Sequence, residues 1–414
     1  MAWRRIDVEL WGCNPEGATA AAPADRKVSG PRARPSPPEM CVRLAAGRLA
    51  GALRMIDLRA RPAERTIPTA EECATVSRAF WHAVREFEAI DRRVDRPEQA
   101  RCAAAAREVL HPWLLRSDHW SRSYLKPHGY AGDFRTLERI YGLERDPCCD
   151  PTKPVVVNLA DHLYRSVHSV RAMWHRRRWY AQLVGELLAT SNARRPVRIL
   201  DLASGGSRHT RDVLNDETAD GRVELTFLDP DPAALAFIRS WLPSNVRAGT
   251  RFLCGSARDV RKLVLDHAGG PFPGFDLVIS TDLCHYLGPL AARKLLFEMT
   301  RLARPGGLVA VSNFAPEDES RIVKDWLLQW PMVYRQTSAV RDLIPHGHSV
   351  GFDRSPDGGL LHALVSVNGS ASAPRRDSDW ASVSQHAPRP LTIINSDRER
   401  IRHTWRRSQK ESGL

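Results

Sequence analysis

From Val197 onward the chain alternates short β-rich runs with helical stretches, and this alternation limits its fold more than any other feature. Val197–Leu202, Val223–Leu228, Arg251–Gly255, Phe275–Ser280 and Leu308–Ser312 read as strands, with helical candidates between most of them. Strands that alternate with helices predict a parallel sheet covered on both faces. After Pro345, Ser349–Asp353 and Leu361–Val367 flank the turn residues Pro356, Asp357, Gly358 and Gly359. Two late strands joined in this way predict an antiparallel hairpin at the sheet edge.

The first strand runs into a tight turn, Val197-Arg-Ile-Leu-Asp-Leu-Ala-Ser-Gly-Gly-Ser207, and a helix is expected from about His209. Gly205 and Gly206 let the backbone approach a ligand closely. The spacing is neither GxGxxG nor GxxxxGK[ST], which argues against a nucleotide-phosphate loop. Asp201, at the strand end, is placed to accept from a cationic amino group. The second strand ends in Asp229, where an acid can hold ribose hydroxyls. Asp231 is expected to cap the helix beginning near Pro232. The third strand ends Cys254-Gly-Ser-Ala, positioned for an adenine rim. A dehydrogenase-like doubly wound binder is the rival fold reading.

Upstream of the sheet the pattern is helical. Thr69 precedes Glu71 and Glu72, and Phe80, Val84, Phe87 and Ile90 follow at helical spacing. Ala100–Leu110 reads as a helix ended by Pro112, Thr136–Tyr141 as a short helix, and Asn158–Leu188 as one long periodic stretch. Four segments result: 1–69, flexible or weakly structured apart from a short helix around Val42–Ile56; 70–190, a helical cap or substrate domain; 191–368, the α/β domain; and 369–414, a disordered basic tail.

The formal net charge of +13 invites a nucleic-acid reading, with the densest arginines at Arg176–Arg178 and in the tail. Against it, the fourth strand ends Ser280-Thr-Asp-Leu and lacks the Asx-Pro-Pro-aromatic run that grips a flipped base. Eight widely spread cysteines without a CxxC pair predict neither a zinc site nor a disulfide framework. No long apolar run predicts a membrane span, and Met1–Cys13 lacks a secretion signal, so a cytoplasmic location is the default.

Residues 197–312 resemble the class I methyltransferases that use S-adenosylmethionine (SAM). The resemblance implies a Rossmann-like sheet of seven strands with a terminal antiparallel hairpin, here preceded by a helical N-terminal domain. It makes Asp201 the partner of the methionine part and Asp229 that of the ribose, and Arg301-Leu-Ala-Arg-Pro-Gly-Gly307 resembles the turn before the fifth strand. Many members carry cysteine or glycine where this chain has Ser204, and glycine-rich sequence where it has Ser207; both serines read as tolerable small residues.

The loop Lys126-Pro-His-Gly-Tyr-Ala-Gly-Asp-Phe134 packs His128, Tyr130 and Asp133 between turn formers. From the residues alone it is either a site wall or a structural turn with Tyr130 buried. It resembles a block in bacterial enzymes that make a 3-hydroxy fatty acid methyl ester signal, and in carboxyl methyltransferases of isopropylmalate-like acids. Asp325-Trp-Leu-Leu-Gln-Trp-Pro-Met-Val-Tyr-Arg335, read as a helix and its exit, resembles a second block of that group.

These resemblances span about residues 75–367 and imply methylation of a small acidic acceptor, giving a methyl ester; an N- or hydroxyl O-methyltransferase of a natural-product intermediate is the alternative. The expected cofactor contacts are Tyr130, Asp133, Asp201, Ala203, Ser204, Gly205, Asp229, Pro230, Gly255, Ser256, Ala257 and Thr281. The expected acceptor-side residues are His285, Tyr286, Tyr130, His128, Tyr334 and Arg335, with Arg335 forking a carboxylate. His285 either faces the acceptor or only packs. The helices before the sheet could cover the site or form a subunit contact such as a homodimer.

Overall fold

The computed structural model describes residues 35–191, 195–214, 221–266 and 272–368. The expectations for residues 1–34 and for the tail 369–414 lie outside the described residues. The part of segment 1–69 that is described corrects the expectation of weak structure. Helix α1 (Pro37–Ala60) starts with Pro37 after Ser36, whose hydroxyl accepts from Glu39 N at 3.3 Å. Its Val42, Ala45, Ala46, Leu49, Leu53 and Ile56 form one buried stripe. Alanine-rich sequence looks low in complexity, yet small side chains let α1 pack closely on α2 (Ala70–Asp91) and α3 (Arg96–Leu114).

Helix α2 opens with a full capping box. Glu72 N donates to Thr69 Oγ1 at 3.2 Å, and Thr69 N donates to Glu72 Oε2 at 2.8 Å. Pro112 does not end α3 at once as expected; it sits in the final turn, where it withholds the N–H that would bond Glu108 O, and the helix stops two residues later at Leu114. Then follow α4 (Asp118–Leu125), α5 (Phe134–Gly142), α6 (Val155–Ser166) and α7 (His168–Thr190). The single stretch expected over Asn158–Leu188 is thus two helices, split where Val167 turns extended at ψ 125°. No described helix is long and apolar enough to cross a membrane.

The sheet has seven strands in the order β3-β2-β1-β4-β5-β7-β6: β1 (Val197–Leu202), β2 (Val223–Asp229), β3 (Arg251–Cys254), β4 (Phe275–Ser280), β5 (Ala303–Phe314), β6 (Ser349–Arg354) and β7 (Leu360–Ser366). Strands β1 to β5 pair in parallel, and β7 runs antiparallel to both β5 and β6. The Arg301–Gly307 turn lies partly inside β5, as an irregularity in its pairing with β4 between Phe275 and Leu277.

Helix α7 joins the two halves. Its Trp179, Tyr180, Leu183, Val184 and Leu188 pack with Ile199, Phe227 and Ile279 of the sheet. Tyr180 Oη lies 2.9 Å from Ser312 Oγ, and Trp179 Nε1 donates to Asp353 Oδ2 at 2.9 Å. The strand order reverses between β1 and β4, so their C-terminal ends leave a crevice, the usual place for ligands in such sheets.

Candidate functional site

On the β1–β2 side of the crevice the backbone bends through Ala203 (φ 52°), Gly205 (φ 52°) and Ser207 (φ 45°). Left-handed backbone costs a non-glycine residue about 1–2 kcal/mol, so local bonds must hold it. Gly205 N donates to Asp229 Oδ2 at 2.8 Å, Ser204 N to Leu228 O at 3.3 Å, and Ser207 Oγ to Asp201 Oδ2 at 2.6 Å. The turn is therefore pinned to both strand-end acids. The helix expected from His209 is a single turn, Arg208–Arg211, so it offers no extended N-terminus to an anion.

Asp201 is buried, and its Oδ1 has no hydrogen-bond partner among the described residues. A buried acceptor without a donor is costly unless a ligand supplies one. Asp229 is also buried; its Oδ1 accepts from Asp231 N at 2.8 Å, and burial pushes its carboxyl up to about 6. Asp231 caps the next helix through Ala233 N at 2.9 Å, as expected. Gly255 N donates to Asp229 O at 3.2 Å, and a Cβ on Gly255 would stand 2.5 Å from Leu263 Cδ1. Ser256 Oγ accepts from Arg258 N; Pro230, Ala257 and Thr281 are half-buried at the ends of β2, β3 and β4.

At the exit of β4 the chain forms a tight turn over Cys284–Tyr286. His285 is fully buried, with Nε2 at ion-pair distance, 2.9 Å, from Asp282 Oδ1; neither Nε2 nor Nδ1 makes a hydrogen bond among the described residues. Burial lowers the imidazole's proton affinity, and Asp282 opposes that. Arg176 of α7 reaches both Asp282 oxygens, Nη2 at 3.3 Å from Oδ2, and Nη2 also donates to Tyr141 Oη at 3.0 Å. Burial works to raise the Asp282 carboxyl, but Arg176 and His285 outweigh it and hold the group below the usual carboxylate range. Tyr286 Oη accepts from Trp330 Nε1 at 2.8 Å.

The Lys126–Phe134 loop spans both sides. Tyr130 Oη donates to Asp231 Oδ2 at 3.4 Å, and His128 Nδ1 lies at the same distance from that oxygen. Gly132 (φ 76°) passes so close to the β4 exit that a Cβ would meet Tyr286 Oη at 2.9 Å and Trp330 at 3.0 Å. A Cβ on Gly205 would lie 3.6 Å from Phe134, so the loop also covers the β1 turn.

Four expected site residues are placed differently. Asp133 caps α5: Oδ1 accepts from Arg135 N and Thr136 N, and Oδ2 from Thr136 Oγ1 at 2.6 Å. Its oxygens serve the helix start and Arg122 Nη2, 3.3 Å from Oδ1. His128 sits over the β2 end beside Asp231, away from His285's partners. Arg335 is buried, and Nη1 donates to Cys284 O and Asn313 Oδ1, both at 2.8 Å, while Nη2 donates to Leu287 O. Its fork shapes the β4 exit and does not present itself to an acceptor. Tyr334 stands with its ring 4.9 Å from the Lys324 ammonium, in a segment that makes one π-helical turn (Val323–Leu327) and then runs extended, so the helix expected from Asp325 is short.

Sequence reasoning missed Arg176 and Asp282. The Asp282-x-x-His285 spacing was a signal for the second. Arg176 and Arg177, counted as part of a basic cluster, are buried; Arg177 pairs with Glu144 and Asp212 at 2.8 and 2.9 Å.

A family model described as a methyltransferase domain matches residues 199–307. No curated protein matches. Among solved structures, a Bordetella parapertussis protein described as a possible exported protein aligns at 14% identity, covering 78% of this chain and 97% of that one, with a TM-score of 0.45. Magnesium protoporphyrin IX methyltransferase from Synechocystis PCC 6803, with bound S-adenosylhomocysteine, aligns at 14% identity over 61% of this chain and 100% of that one, TM-score 0.40. N-methyltransferase NodS from Bradyrhizobium japonicum WM9 aligns at 14% identity over 57% and 98%, TM-score 0.33. With the matched domain lying on this sheet and its acid-bearing strand ends, the chain carries a class I methyltransferase domain and is a SAM-dependent methyltransferase.

Proposed function

We propose that the enzyme methylates the carboxylate of a small or fatty hydroxy or dicarboxylic acid enclosed beneath the 126–134 loop, giving a methyl ester. The observation that carries this reading is His285: a fully buried imidazole beside Asp282 whose two ring nitrogens make no hydrogen bond among the described residues. A small acceptor is supported by the close approach of Gly132 to Tyr286 and Trp330, where a Cβ would stand 2.9 and 3.0 Å from them.

On the cofactor side, the unpartnered Asp201 Oδ1 suits the donor's ammonium group. Asp229 accepts one backbone N–H on each oxygen and keeps lone pairs for the ribose diol. Gly255, Ser256 and Ala257 would border the adenine, and Tyr130 would close over the ribose end. SAM supplies an electrophilic methyl: the acceptor oxygen forms the new O–CH3 bond as the S–CH3 bond breaks and its electron pair stays on sulfur.

A carboxylate is already ionised at pH 7 and needs no base. The chain's task is to hold it in line. In this reading an arriving anion draws a proton onto His285, and the imidazolium then bridges Asp282 and the acceptor. Tyr286 lines the acceptor's other side. A cytoplasmic site of action goes with this reading.

The same histidine gives a second reading specific support. A neutral His285 protonated at Nε2, the nitrogen beside Asp282, offers a lone pair on Nδ1, and a hydroxyl or amine acceptor would use it as a base. A screen of carboxylic, hydroxy and amino acids, with S-adenosylhomocysteine as readout and product mass spectrometry, decides between the two. Methyl esters, formed with kcat/KM falling as pH rises, support the carboxylate. Ethers or methylamines, formed with kcat/KM rising with pH, replace it with the second reading.

A further inference from the structure

We propose that Arg176 is a positioning residue for methyl transfer: it fixes the Asp282 carboxylate so that His285 presents Nδ1 to the acceptor. The inference rests on the reading of His285 given above and adds a residue from outside the matched methyltransferase domain.

The argument starts with placement. Arg176 and Tyr180 are four residues apart on α7 and share a face. Tyr180 is bonded to Ser312 of β5, so Arg176, one turn earlier, is delivered to the β4 exit. Its guanidinium is 1% exposed. Burying a charge is expensive unless it is paired and hydrogen-bonded. Arg176 meets that condition with both Asp282 oxygens and Tyr141 Oη, a fork geometry that an ammonium cannot copy. Asp282 Oδ1 is thereby shared between Arg176 Nη1 and His285 Nε2. That sharing sets the Nε2 edge of the imidazole beside Asp282, at ion-pair distance and without an aligned hydrogen bond, and turns Nδ1 to the opposite edge; neither nitrogen has a hydrogen-bond partner among the described residues.

The charges that face His285 come from three elements. Asp282, on its own loop, favours the imidazolium. Arg176 from α7 and Lys324 from the segment after β5, itself paired with Asp318 at 2.5 Å, oppose it. Removing Arg176 leaves Asp282 to draw a proton onto His285 before any acceptor arrives. The ring would then be charged at rest, and without the guanidinium fork neither Asp282 nor the ring beside it would be held in place toward the acceptor.

The test uses the full chain with Arg176→Met and Arg176→Lys, and NMR titration of ring-labelled histidine, with His285→Asn assigning the signal. In Arg176→Met the His285 titration midpoint should rise by about one unit or more. Its kcat should fall roughly 10- to 100-fold, with cofactor affinity within about threefold of the parent. Arg176→Lys should restore most of the midpoint, because it keeps the charge, but only part of kcat, because it loses the fork. A folded Arg176→Met protein with an unmoved midpoint and pH profile overturns the proposal. Should Arg176→Met not fold, a lysine variant with parental kcat overturns it equally. The ring titration needs no turnover, so it stands apart from the acceptor reading; full activity in His285→Asn would sink that reading alone.

Discussion

At the β1–β2 end of the crevice, Asp201 and Asp229 stand on neighbouring strands and are held by donors from the turns beside them. At the β4 end, Asp282 and His285 are completed by Arg176, 106 residues from Asp282, and Tyr286 is completed by Trp330, 44 residues away. One side keeps acceptor capacity for a ligand; the other ties Asp282 to Arg176 and Tyr286 to Trp330 and leaves both ring nitrogens of His285 without a hydrogen bond among the described residues. The cofactor side is thus set by local chain geometry. The β4 end depends on how the helical region docks.

Substitutions can break this contrast. His285→Ala should lower kcat about 1000-fold while leaving cofactor affinity within a factor of about three; steady-state kinetics and calorimetry read the two, and a normal kcat would remove His285 from the chemistry. Asp229→Ala should weaken cofactor binding roughly 100-fold, since a charged acceptor is lost from the ribose and from Gly205 N together. Unchanged affinity by calorimetry would place the ribose elsewhere.

Smaller effects sharpen the division. Gly132→Ala must adopt a left-handed backbone and intrude on Tyr286 and Trp330. The acceptor KM should rise about tenfold, a loss of roughly 1.4 kcal/mol, with less effect on cofactor affinity. Burial raises the Asp229 carboxyl to about 6, so the ionised acceptor is present above that pH and is lost as pH falls through it. Cofactor affinity should therefore drop about tenfold between pH 7 and pH 5, and a flat profile would show that the carboxyl titrates lower. Arg335→Ala should leave the acceptor KM of the folded enzyme within about twofold, yet cost about 2–4 kcal/mol of stability by stranding buried carbonyls; thermal unfolding with no loss would contradict its internal role.

The strands, their order of use and the acids at their ends were legible because each is written in a few adjacent residues: a β-rich run, a small-residue bend, an aspartate. The Thr69 capping box and the Asp231 cap were legible for the same reason. Arg335 was misread because an arginine four residues past a proline looks the same in sequence whether its fork meets a ligand or three oxygens of its own chain. Asp133 was misread because a helix cap and a ligand contact demand the same short acid beside a turn. Arg176 was invisible in principle: its partner lies on a distant strand exit, and only the seating of α7 on the sheet reveals the pair. Helix α1 was underestimated because alanine and glycine give a weak periodic signal.

One loop touches both ends of the crevice, through Tyr130 at Asp231 and Gly132 beneath Tyr286. Whatever free energy the first ligand spends in settling that segment, the second need not spend again, so the two ligands must aid each other by equal factors whichever enters first. Donor and acceptor then form a thermodynamic couple, and the spent donor should cling more tightly while the methylated product remains than after it has gone.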